Sequence, residues 1–203
     1  MQPGEQRKLI IWSDRCVGQN NNWRVLNLYA LLVQSRYFSE INQKFLCSGH
    51  SFLPCDRDFA LIEKKKKNSK VFIPGDWKYI IAEARLNKPF FVIEMQQNDF
   101  KDFTPVEKAL IRNTKMKITE GMWMKVTSDD PTNVYLRSSH NILRPWSIFQ
   151  IYGRKINLAS LCNLPEIYTE VIPISEEKKK DLIDMCDYLP QEKKQFYQDL
   201  LNF

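Results

Sequence analysis

Residues 8–13 contain an unbroken apolar run, Leu9-Ile10-Ile11-Trp12, that does not alternate with polar positions, the pattern of a strand buried on both faces. A polar turn follows, and the asparagines at 20–22 can cap a helix whose apolar positions Val25, Leu28, Tyr29 and Leu32 fall at helical spacing. Residues 44–48 (KFLCS) read as a second strand. Residues 49–55 then turn the chain into a helix that begins near Asp56, with Phe59 and Ile62 facing inward. The order strand, helix, strand, helix predicts an α/β fold for residues 1–70.

The lysine run at 63–70, with Pro74 and Gly75 just beyond, marks the boundary to a second region, 71–203, because the pattern of elements changes there. This region reads as α+β. A helix is predicted over 77–85 and a strand over 90–95 after Pro89. The runs 122–127 and 133–138 flank the polar segment SDDPT and predict a β-hairpin or small sheet. Ser175 with Glu176 and Glu177 resembles a capped helix start, and two amphipathic helices broken near Pro190 complete the chain. The aromatics Trp123, Tyr135, Trp146 and Phe149 admit two readings, a surface on which bases or a peptide stack, or a small core; alternation on short strands favours the core.

With 43% hydrophobic residues in 203, the chain can bury one substantial core or two modest ones. It holds no apolar run long enough for a membrane span, and its first residues lack a secretory signal, so no membrane association and an intracellular location are expected. Five scattered cysteines fit reduced thiols better than a disulfide framework. Cys47, His50 and Cys55, with Cys16, offer soft ligands to zinc, but the spacing is not that of a standard finger, and Cys47 in a strand reads as a small buried hydrophobe. The net charge of +6 favours an anionic partner such as nucleic acid and is equally compatible with an ordinary solvated surface. His140, in the polar segment SSHN, reads as a solvated loop histidine without a role.

Asp14 ends the first apolar strand, and the carboxyl ends of strands are where open α/β sheets gather functional groups. His50 and Asp56 stand where the second strand hands over to a helix that carries Asp56, Ala60 and Glu63 on one face. Carboxylates converging from adjoining strand ends can share two Mg²⁺ ions and so serve phosphodiester cleavage. The plainer reading makes Asp14 a turn residue and Asp56 a helix-start residue. Lys64, Lys65, Lys66 and Lys67 follow the acidic helix face and either track a nucleic-acid backbone or solvate a helix end.

The segments WSDRCVGQNNN at 12–22 and GHSFLPCDRDFALIEK at 49–64 resemble the paired motifs of a transposon-derived, uncharacterised domain family of animal genomes. The resemblance extends through IPGDWKYIIAEARLNKPFFVIEM at 73–95 and PISEEKKKDLIDMCDYLP at 173–190. It implies a partial ribonuclease H-like core of the acidic-triad transposase kind, in which Asp14 matches the second acid and Asp56 the third, with His50 beside them. Asp58 and Glu63 remain open as further contributors to that acidic site. Arg15 and Val17 replace the asparagine and glycine usual in the family. Upstream strands with a first aspartate have no counterpart here, since Glu5 alone among the acids precedes Asp14. The resemblance therefore implies a decayed or domesticated protein, possible nuclear location, ancestral Mg²⁺ sites and possible DNA binding. It leaves open the alternatives of a fragment of an active metal-dependent transposase and of a protein interaction module. Strand 8–13, deprived of its neighbour, is expected to expose an edge that pairs with a second copy or a partner chain.

Overall fold

The computed structural model describes residues 7–47, 49, 52–153 and 163–201. In chain order the elements are β1 (Lys8–Ser13), α1 (Trp23–Gln34), β2 (Glu40–Phe45), α2 (Pro54–Lys67), α3 (Pro74–Glu83), α4 (Thr104–Ala109), β3 (Trp123–Thr127), β4 (Asn133–Arg137), β5 (Ser147–Gln150), α5 (Glu176–Cys186) and α6 (Gln191–Leu201). The class is mixed α/β, with one five-stranded mixed sheet and six helices among the described residues. Two compact units form, one from Met1–Phe52 with Lys101–Pro165, the other from Leu53–Phe100 with Glu166–Phe203.

The first unit holds the sheet, in the order β1-β2-β3-β4-β5. β1 and β2 run parallel, joined through α1, and β3, β4 and β5 continue the sheet antiparallel. The hairpin expected over 122–138 forms as β3 and β4. It extends the same sheet as the N-terminal strands, so the sheet takes strands from both sides of residue 70. α1 begins where expected, because the Asn22 side chain accepts the amide hydrogens of Arg24 and Val25. Its buried stripe is Leu26, Tyr29, Ala30 and Val33, while Leu28 faces out. These residues meet Ile41, Phe45, Met124, Val126, Val134 and Leu136 from the inner face of the sheet, with Val106 of α4 closing the same core. Each such aliphatic or aromatic side chain contributes about 1.5–3 kcal/mol on burial.

Two expectations for the strands are corrected. β1 is not buried on both faces: Leu9 and Ile11 pack on the core, whereas Ile10 is 57% and Trp12 44% exposed. β2 begins at Glu40, four residues before the expected start, and ends at Phe45. Its inward positions are Ile41, Gln43 and Phe45, and the polar Gln43 interrupts the apolar alternation that would have revealed it. β1 occupies the sheet edge, and no strand of the described residues pairs with its outer side.

The second unit is helical. α2 packs with α3 and α5 with α6. The Lys193 ammonium of α6 pairs with Asp76 at the start of α3, and the Tyr197 hydroxyl donates to the Phe72 carbonyl. The terminal helices follow expectation, with Ser175 capping α5 and Pro190 separating it from α6. Two expectations fail here. Residues 90–95 form no strand, because β-prone side chains without a pairing neighbour make no ladder, and Phe91 and Ile93 stay exposed. Phe59 of α2 is exposed rather than inward, and only Ile62 is partly covered.

Candidate functional site

β1 ends in a hydrogen-bonded turn built around Asp14. The Asp14 Oδ1 accepts the Asn20 side-chain amide at 2.6 Å and the Cys16 backbone N–H at 3.1 Å. The Cys16 carbonyl in turn accepts the N–H groups of Gln19, Asn20 and Asn21. Asn22 ties the turn to α1, donating to the Val17 carbonyl while capping the helix. The Asn21 side chain lies between them fully buried, with neither its nitrogen nor its oxygen hydrogen-bonded. The Arg15 guanidinium donates to the Thr119 carbonyl.

A buried relay supports this turn from the core side. The Tyr29 hydroxyl donates to Gln43 Oε1 at 2.5 Å, Gln43 Nε2 donates to Ser13 Oγ at 2.9 Å, and Ser13 Oγ donates to the Asp14 carbonyl at 2.8 Å. Burial disfavours the phenolate, so the Tyr29 pKa is pushed up to about 12. Sequence reasoning missed this relay. Its one legible trace is a glutamine at an inward strand position.

Asp56 belongs to the second unit. Its carboxylate accepts the Leu53 N–H at 2.5 Å from the third position of α2, and Pro54 opens the helix. Asp76 repeats the device at the start of α3, accepting the N–H groups of Phe72 and Ile73 behind Pro74. The two helix starts, LPCD at 53–56 and IPGD at 73–76, are thus one local solution used twice. The Lys193 hydrogen bond, then the Phe72 amide, hold the Asp76 carboxyl below the usual carboxylate range.

Asp14 and Asp56 lie in different compact units. His50 lies outside the described residues. Asp58 is paired with Arg85 at 3.1 Å, and Glu63 is exposed. Among the described residues, no group of three or more His, Cys, Asp or Glu side chains gathers as a metal would require. Cys16, Cys47 and Cys55 are exposed free thiols, and Cys47 lies just beyond β2 rather than buried within a strand. Lys64, Lys65, Lys66 and Lys67 form the last turn of α2, where cations complement the helix dipole, and Lys65 reaches Glu83 at 2.9 Å.

The outer face of the sheet carries the largest concentration of aromatic and cationic groups described. The strand register aligns Trp12, Lys44, Trp123 and Arg137 in one row across β1 to β4. The Lys44 ammonium lies 4.1 Å from the Trp123 ring centroid and 5.2 Å from that of Trp12. The Arg137 guanidinium sits 4.0 Å from the Trp146 ring and 5.1 Å from the Trp123 ring. A second row brings Lys125 beside Tyr135, and the Lys125 ammonium also reaches Trp146 at 4.8 Å. The Trp123 indole donates to Asn42 at 2.8 Å, which fixes the ring. Of the four aromatics expected to form a core, only Phe149 packs on one. Trp123 and Tyr135 stand on the opposite face, as their alternation with Met124, Val134 and Leu136 required, and Trp146 packs edge to face against both. His140 is likewise no solvated loop residue: its Nε2 donates to the Phe45 carbonyl at 2.8 Å, and its ring lies 5.2 Å from that of Trp12.

Among the described residues, no helix is long and apolar enough to cross a membrane. Residues 5–135 match the family model described as a domain of unknown function, DUF7869, a span that includes β1 to β3 and the Asp14 turn. Neither the comparison with curated proteins nor that with solved structures gives a match. The match covers more than half of the chain, which therefore belongs to the DUF7869 family.

Proposed function

We propose that this chain is a domesticated, transposase-like relative of the ribonuclease H-like fold that binds nucleic acid without cutting it. The parallel β1-α1-β2 arrangement, with Asp14 at the carboxyl end of β1, supports that ancestry. One observation carries the non-cutting part: both acids matched by the resemblance are committed to local structure, Asp14 to its turn and Asp56 to a helix start. A carboxylate oxygen that fixes backbone geometry is a poor candidate for shared metal coordination. The basic net charge supports an anionic ligand.

The test incubates the purified chain with labelled DNA in the presence of Mg²⁺ or Mn²⁺. The expected result is binding that weakens as salt rises, with no strand cleavage and no effect of Asp14→Asn on binding. Metal-dependent cleavage that Asp14→Asn abolishes overturns the non-cutting reading, and no binding at any salt concentration overturns the nucleic-acid reading.

That no strand of the described residues pairs with the outer edge of β1 favours a second reading, in which a strand of another chain extends the sheet. Light scattering tests it: a concentration-independent monomer, with or without candidate partners, removes it.

A further inference from the structure

We propose that the outer sheet face is a binding site for single-stranded nucleic acid, with bases stacked on Trp12 and Trp146 and phosphates met by Lys44 and Lys125. The inference rests on the nucleic-acid reading above and deepens it by naming the strand state and the site.

Three observations lead to this occupant. First, the face is open: Trp12, Ile10 and Ile148 remain well exposed, although they are large apolar groups on strands. Second, its charge is in cationic excess. Lys8, Lys44, Lys125 and Arg137 project from the strands of this face, against Glu40, which Lys8 approaches at 4.0 Å, and Asp130 of the β3-β4 turn, which accepts the Tyr135 hydroxyl at 2.7 Å. A polyanion gains from that excess, whereas an apolar or basic peptide does not. Third, the strand register interleaves aromatics with cations. The register sets Trp12, Lys44, Trp123 and Arg137 on successive strands about 4.8 Å apart, so ring faces and ammonium groups alternate across the sheet.

Alternation of this kind matches an extended single strand, in which unpaired bases and phosphates also alternate. Paired bases in a duplex keep their faces within the stack and cannot use the indoles, so the site discriminates against duplex. The rings are also held in advance. Arg137 lies against both Trp123 and Trp146, and the two indoles meet edge to face with centroids 5.0 Å apart. Asn42 anchors the Trp123 indole, and Trp146 carries Arg137 and Lys125 over its ring, which leaves Trp12 as the platform whose loss least disturbs the sheet.

The experiment titrates the full chain with a fluorescein-labelled oligothymidylate and with a duplex of the same length, following anisotropy and tryptophan fluorescence. Oligothymidylate is expected to bind more tightly than duplex and to quench the indole emission. Trp12→Ala and Trp146→Ala are each expected to weaken binding by about five- to a hundredfold, the range for loss of one base–aromatic stack. Lys44→Glu and Lys125→Glu, which leave the rings in place, should weaken binding and reduce its salt dependence. Paired Lys178→Glu and Lys180→Glu changes on α5, in the second unit, should weaken binding less than either single lysine change on the face. Thermal melts establish that each variant folds, and if a tryptophan variant does not, the two lysine variants carry the decision. Oligothymidylate binding unchanged in all the face variants overturns the site while leaving the nucleic-acid reading intact. Preference for duplex overturns the single-strand assignment. Failure of the wild-type chain to bind either probe overturns both proposals.

Discussion

The Tyr29 hydroxyl donates to Gln43 Oε1 at 2.5 Å, linking α1 to β2 beneath the point where β1 turns at Asp14. Gln43 is 1% exposed, so its amide depends on protein partners. Tyr29→Phe removes one donor and leaves Gln43 Oε1 buried without it. The expected loss is about 1–3 kcal/mol, measured by urea unfolding. Gln43→Leu, which removes the polar group with its need for partners, frees the tyrosine hydroxyl and Ser13 and is also expected to destabilise.

The same tyrosine sets an alkaline limit. Its pKa rises in the folded chain from 10.0 to about 12, so the folded state keeps its proton after the unfolded chain has lost it. The contribution is fully present below pH 10 and falls as pH rises from about 10 to about 12. Thermal melts across that window should show a steeper decline for the wild type than for Tyr29→Phe.

An acid limit arises in the second unit. The Asp76 carboxyl is held below its ordinary value by the Lys193 hydrogen bond and then by the Phe72 amide. Its contribution is present above the unfolded value of 3.8 and is lost as pH falls through the lower folded value. Asp76→Asn should therefore flatten the acid side of the stability profile, read from melting temperatures below about pH 4.

Asp14→Asn keeps an oxygen at the position that accepts from Asn20 and Cys16, so stability should stay close to that of the wild type. Asp14→Ala removes the acceptor and should cost about 0.5–2 kcal/mol, the range for losing a comparable capping side chain. Calorimetry of the two variants separates a turn role from none. Equal loss in both would show that charge, not geometry, is what the turn uses.

Gly121 tests the packing between the short 3-10 turn Ile118–Glu120 and the sheet. A methyl group there would intrude on the Leu136 side chain and lie 3.2 Å from the Ile118 carbonyl oxygen. Gly121→Ala should destabilise by about 1–3 kcal/mol through overpacking. An unchanged denaturation midpoint would mean that Leu136 has room to move aside.

Elements with a local cause were legible in the sequence. Asn22 and Ser175 announce helix starts through their capping oxygens, and the SDDPT segment announces the β3-β4 hairpin. Features set by distant partners were not. β2 begins at Glu40 because it pairs with Lys8 on one side and Thr127 on the other, neither of which is adjacent in sequence. Phe90 and its neighbours had the composition of a strand but found no ladder. The aromatic-cation face was half legible: Met124, Val126, Val134 and Leu136 alternate with Trp123, Lys125, Tyr135 and Arg137, which fixes two faces but not which rows coincide. Asp14 was placed correctly at the end of a strand, and its turn partners Asn20 and Cys16 lie in the motif that drew attention to it.

The interleaving of the two units has a kinetic consequence. β2 must find β3 across residues 46–122, and closing so long a stretch costs entropy before any ladder bond repays it. During synthesis, β1, α1 and β2 emerge well before β3 leaves the ribosome, so the apolar Ile41 and Phe45 wait without the neighbouring strand on one side. Nascent chains stalled before residue 122 are therefore the species most in need of a chaperone.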